Sequence, residues 1–274
     1  MRDVRRAGTA ASLPPAVLMA VAAGLVTLAL GIYARHAKPS ILDTPLIGHG
    51  TRSFYLIALV AVVGIGWQAH RFFDRPIRGY TPYPPLATAG ILPAMIVLAS
   101  ALLVGRYHTA PIVVMAAVLA ATGAYAALSI RDVIDSGDTG DQPVLLIHVG
   151  LSLVVVFVNV ALLLQFQARL LFLAPTIFVV TALLLLQVHD GVPTYPVRRQ
   201  AYALVGALIA AEVVWPLTYW PPLGWWSGAV VASVVTGYAL VTRANLMRRL
   251  TGVAAAQYAG LTAALLVFVV VMSR

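Results

Sequence analysis

The chain has 274 residues, of which 61% are hydrophobic and only 10% charged, and its mean hydropathy is +0.92. A soluble domain carries roughly 25% charged residues because its surface must be solvated, so lipid has to be part of the solvent here and soluble multidomain folds are excluded. The net charge of +9 sits singly or in short arginine clusters between apolar runs, the pattern that sets membrane topology and not one that points to a nucleic-acid partner.

In chain order, Arg2, Arg5 and Arg6 precede an apolar run from Pro15 to Tyr33. That run reads as a first transmembrane helix and not a signal peptide, since no small-x-small site followed by a soluble domain comes after it. Stretches long enough to cross a hydrocarbon core of about 30 Å fall at 15–34, 53–70, 84–105, 109–130, 143–165, 170–188, 200–220, 223–242 and 251–272. Pro82, Pro84 and Pro85 punctuate the approach to the third, Gly137 and Gly140 the link after the fourth, and Pro221 and Pro222 the link after the seventh. The expected fold is all-α: a polytopic integral membrane helical bundle of about nine transmembrane helices, within a range of eight to ten. It forms a single transmembrane domain over residues 1–274, with no soluble domain.

Orientation follows from counting positive charges. With nine spans and the N-terminus inside, the inner side carries Arg2, Arg5, Arg6, Arg71, Arg75, Arg78, Arg131, Arg198, Arg199, Arg243, Arg248 and Arg249. The outer side carries Arg35, Lys38, Arg52, Arg106, Arg169 and Arg274. The excess favours an N-terminus inside and a C-terminus outside, in a bacterial or archaeal cytoplasmic membrane. Tyr219, Trp220, Trp225 and Trp226 then make an aromatic rim at the outer interface.

Helix association in lipid relies on small residues that let backbones approach. Gly252, Ala256, Gly260 and Ala264 form such a helix-packing stripe on the ninth span, as do Ala16, Ala20 and Gly24 on the first and Ala116, Ala120 and Ala124 on the fourth. Ordinary packing within the chain is the expected use of all three.

Few residues point to chemistry. With no cysteine in the chain, disulfides, thiolate-held metals and thiol catalysis are excluded. Lys38, the one lysine, lies outside every span, which excludes a retinal Schiff base. Glu212, the one glutamate, lies within the seventh span, and a carboxylate in hydrocarbon is a functional candidate by default. Asn159 and Thr176 fall at similar depth, and His148, Ser152 and Asn159 share one face of the fifth span, because eleven residues make nearly three turns. That stripe is expected to face the bundle interior, either lining a cavity or joining helices. Asp132, Asp135, Asp138 and Asp141 recur every three residues in a glycine-containing loop. They are weak candidates for holding Mg²⁺ or Ca²⁺, without EF-hand spacing, and a solvated turn is the plainer reading. The six histidines, His36 and His49 among them, form no metal-ligand spacing, and no pattern identifies a cofactor.

Two loops carry a faint resemblance. His70-Arg71-Phe72-Phe73-Asp74-Arg75-Pro76-Ile77-Arg78 is similar to the first aspartate-rich motif of the UbiA-type membrane prenyltransferases. The stretch Gly191-Val192-Pro193-Thr194-Tyr195-Pro196-Val197-Arg198-Arg199 is similar to the segment after their second motif. The resemblance implies Mg²⁺-dependent chemistry on an isoprenoid diphosphate. However, Arg71, Pro76 and Arg78 stand where acidic ligands are needed, leaving Asp74 and Asp190 as one carboxylate per loop, too few to hold two bridging metals. The expected role is therefore a non-catalytic accessory or scaffolding subunit of a membrane complex, with the bilayer and other membrane subunits as partners. A transporter or channel using Glu212 and the fifth-span stripe is the first alternative, and an inner-face lipid-modifying enzyme of degenerate prenyltransferase type the second.

Overall fold

An apolar run in lipid has no water to satisfy its backbone, and the α-helix satisfies every peptide group within one segment. The computed structural model describes residues 14–36, 52–73, 88–136, 142–165, 170–190, 192, 194–219 and 224–273. Among them it holds nine helices and no strand: α1 (Pro15–His36), α2 (Arg52–Phe73), α3 (Ile91–Arg106), α4 (Ala110–Ser136), α5 (Gln142–Gln165), α6 (Leu170–Val188), α7 (Pro196–Tyr219), α8 (Trp225–Leu246) and α9 (Gly252–Met272). Seven are long and apolar enough to cross a membrane; α3 and the apolar part of α6, Phe172–Val188, are shorter.

The boundaries differ from the hydropathy spans in one informative way. The fourth span was expected to stop at residue 130, the seventh to start at 200 and the eighth to stop at 242. The helices instead continue to Ser136, begin at Pro196 and continue to Leu246. Each extension takes an arginine from the expected loops into a helix: Arg131, Arg199 and Arg243, all three buried. Prolines mark the starts as their missing N–H allows, with Pro196 in the first position of α7. By contrast, α6 and α7 run on through the interior prolines Pro175 and Pro216.

Among the described residues, α3 runs through the two largest apolar clusters. Leu92, Met95 and Ile96 of α3 join α5, α6, α7, α8 and Ala127 of α4 in the larger one, while Ala94 and Val97 join α1, α2 and other residues of α4 in the second. A helix apolar all round is buried all round, and α3 has twelve buried residues. The α1 and α4 small-residue faces pack on each other, with the Gly24 backbone so close that an added Cβ would lie 3.1 Å from Ala121 Cβ.

The α9 stripe does not behave this way. Gly252, Ala256, Gly260 and Ala264 are all exposed, and α9 leans on α8 with another face, where Thr262 meets Gly237. The expectation that this stripe packs within the chain is therefore corrected: it faces outward, because Thr262 and Val269 provide the face that docks.

Candidate functional site

The expected interior stripe is buried. Asn159 Nδ2 donates to the Met95 carbonyl of α3 at 3.1 Å and to the Val155 carbonyl at 2.9 Å. Ser152 Oγ donates to the His148 carbonyl at 2.9 Å, and Gln187 Nε2 of α6 lies 2.9 Å from His148 Nε2, which must accept since the amide nitrogen only donates. The stripe thus joins α5 to α3 and α6.

Glu212 and Thr176 are placed elsewhere. Both are exposed on the outside of the bundle, and the Thr176 hydroxyl donates to the Phe172 carbonyl of its own helix at 2.7 Å. The close-packing face of α7 is made by Ala203, Gly206, Ala207, Ala210, Val214 and Leu217. That small-residue face turns inward and carries Glu212 outward beside the exposed Leu208 and Trp215. Glu212 therefore does not share an interior with Asn159, as the transporter or channel alternative would need. Of the four loop aspartates, Asp132 is exposed on α4, Asp135 falls within the last turn of α4, and Asp138 and Asp141 lie outside the described residues. Asp74 lies outside them too.

The densest polar arrangement was not anticipated as a unit. Following α6, the chain turns through His189 and Asp190, with the Asp190 N–H donating to the Gln187 carbonyl at 3.1 Å. This turn drives a carboxylate into the bundle. Thr88 Oγ1, just before α3, donates to Asp190 Oδ2 at 2.5 Å, Arg131 of α4 forms an ion pair with the same oxygen, and Arg199 Nη1 of α7 lies 3.6 Å from Oδ1. Arg243 of α8 donates to the Val188 carbonyl and so caps the C-terminus of α6, where a cation is favoured. Thr242 Oγ1 donates to the Tyr238 carbonyl at 2.7 Å and lies 3.0 Å from His189 Nε2, so it accepts from that nitrogen. All of these groups are buried.

One carboxylate balances three guanidiniums, so the cluster carries excess positive charge. Burial pushes the His189 imidazole down to about 4, with the Arg243 and Arg199 guanidiniums adding to the effect, so His189 stays neutral near pH 7. Arg199 Nε, Arg243 Nη2 and His189 Nδ1 are buried without a hydrogen-bond partner among the described residues. Asp190 is engaged by donors on both oxygens and is not grouped with other carboxylates; among the described residues no set of three or more His, Cys, Asp or Glu converges as metal ligands. The arrangement ties the ends of α4, α6 and α8 to the starts of α3 and α7. Its signal in the sequence is Gln187-Val188-His189-Asp190 abutting an apolar run, with an arginine at the edge of each flanking span.

Fold and cluster together define a multi-pass, all-helical protein of membrane type whose helices are locked at one end by a buried Arg–Asp network. The chain belongs to the family described as "Protein of unknown function (DUF5656)", which it matches over residues 40–272. No curated protein and no solved structure matches it.

Proposed function

We propose that this protein is a non-catalytic accessory or scaffolding subunit of a larger membrane assembly. In this reading it crosses a bacterial or archaeal cytoplasmic membrane nine times, with the N-terminus and the arginine-rich end inside. The observation that carries the reading is the outward Glu212. A carboxylate at the centre of a spanning helix costs about 3 kcal/mol on insertion scales and normally faces a bundle interior. Glu212 instead stands seven residues from the end of α7, about 10 Å deep at 1.5 Å per residue, on the lipid-facing side. It makes no hydrogen bond or ion pair among the described residues. A neighbouring membrane helix with a donor at that depth removes the penalty. The outward stripe of α9, with exposed Gln257 beside it, offers a second surface for close helix approach.

The short α3 fits nine crossings because other helices wrap it, so its ends need not reach the lipid interfaces themselves. The transporter alternative loses its main support with Glu212 outside the bundle and with α6 and α7 unbroken at their prolines, since transport sites favour discontinuous helices at the midplane.

Purification from native membranes in mild detergent tests the reading. Wild type is expected to bring down a stoichiometric membrane partner, Glu212→Gln to keep most of it, and Glu212→Leu to lose it while melting as wild type in isolation. A monodisperse wild-type monomer with its own turnover overturns the proposal.

A further inference from the structure

The first turn of α7 and the last turn of α8 enclose a cavity of about 270 Å³ at the arginine-rich end. Arg198 and Arg248 line it together with Thr194, Tyr195, Tyr202 and Asn245, and no acidic side chain among the described residues does. Its wall is fixed from two sides: Asn245 Nδ2 donates to the Tyr202 hydroxyl at 2.9 Å, and the Tyr238 hydroxyl donates to the Tyr202 carbonyl at 2.7 Å. The start of α7 adds the positive end of a helix dipole.

Arg248 supplies an independent observation. After α8 the Arg249 N–H donates to the Ala244 carbonyl and the Arg248 N–H to the Asn245 carbonyl, both at 2.9 Å. This is the Schellman pattern, which places Arg248 in the left-handed position usually held by glycine. Its φ is +55°, and it is the only non-glycine residue with positive φ among the described residues. A β-carbon there is disfavoured, yet the position holds an arginine on the rim of a cationic cavity. Strain kept at such a place is a sign of function.

We propose that this notch binds the phosphate of an anionic phospholipid headgroup. Guanidinium forks match phosphate oxygens in paired hydrogen bonds, the tyrosine and asparagine groups suit the remaining oxygens, and the site lies at helix ends, where basic pockets meet headgroups. The chemistry recognised is the phosphate oxyanion, so free phosphate is the competing source. The reading does not depend on the partner assigned to Glu212 and fails separately from it.

The test uses the full chain in phosphatidylcholine nanodiscs, titrated either with phosphatidylglycerol in the disc or with inorganic phosphate in solution, following thermal unfolding. Phosphatidylglycerol is expected to raise the Tm, and Arg198→Gln to weaken the apparent affinity by roughly tenfold, the loss of one charge-assisted hydrogen bond. Arg248→Gly is expected to raise the Tm in pure phosphatidylcholine, by relieving the left-handed strain, while abolishing the phosphatidylglycerol increment. Arg248→Lys should keep part of that increment. An increment from inorganic phosphate alone, lost in the same variants, keeps the phosphate site and assigns its source to solution. No increment from either ligand, or one unchanged in Arg198→Gln and Arg248→Gly, overturns the proposal.

Discussion

Replacing Asp190 tests whether the buried network holds the bundle together. Its carboxylate accepts from Thr88 and pairs with Arg131 and Arg199, and the Arg131, Arg199 and Asp190 side chains are no more than 6% exposed. Asp190→Ala removes the anion and leaves two guanidiniums buried without their counter-charge, a change that costs about 3–5 kcal/mol when one partner of a buried pair is deleted. Asp190→Asn keeps the shape and one acceptor, so it belongs at the lower end of that range. At about 2–4 °C per kcal/mol for a chain of comparable size, Asp190→Asn should lower the Tm in detergent by about 10 °C. Arg131→Ala alone should cost a similar amount. The double variant Asp190→Ala with Arg131→Ala should cost clearly less than the sum of the two, with a coupling of about 1–3 kcal/mol. If Asp190→Asn melts within about 2 °C of wild type and the two single changes simply add, the network is not a clamp and the reasoning is refuted.

Acid should act through His189. The unfolded imidazole titrates near its ordinary value of about 6.5, whereas the folded one waits until about 4. Stability is then full above the unfolded value and falls as pH drops through that window, by about 1.4 kcal/mol per unit at most. His189→Gln, which keeps a donor toward Thr242, should flatten the decline in melting curves between pH 7.5 and 5; an unchanged slope would assign it to another group. Gly228→Val should destabilise the isolated protein by about 1–3 kcal/mol, because a Cβ there would lie 2.3 Å from Ala161 Cβ and 2.5 Å from its Cα. Gly260→Leu, where nothing lies within 4 Å, should leave the Tm of the isolated protein intact and reduce recovery of the native partner. A fall in the Tm of isolated Gly260→Leu would place that stripe in intrachain packing after all.

The helices were legible because length and apolar content leave a lipid-embedded segment little other choice. Several of their ends were not: the third span starts seven residues before Ile91, the first residue of α3, and elsewhere a hydropathy window stops at an arginine whether or not the helix does. Arg131, Arg199 and Arg243 were therefore assigned to loops, and Asp190 stood alone in its turn, although its partners come from 59 and 9 residues away in the chain. The face formed by His148, Ser152 and Asn159 was visible from spacing, while the Gln187 and Met95 groups that meet it depend on tertiary contacts. The outward position of Glu212 had a signal that went unused. Small residues at Ala203, Ala207, Ala210 and Val214 mark the packing face of α7, and Glu212 is not on it. On α9 the same kind of signal misled, because a second face carrying Thr262 and Val269 made the contact.

These placements bear on whether the bundle can move. Alternating access asks two bodies to rock about a site between them. Here α3 contributes side chains to the two largest apolar clusters, and so does α4 through Ala127 in one and Ala124 and Leu128 in the other. Asn159 ties α5 to the α3 backbone, and the Asp190 network pins α4, α6 and α7 at one end. The groups left on the outside are Glu212 and Arg248, both exposed, and these are where the proposed partner and headgroup contacts are to be tested.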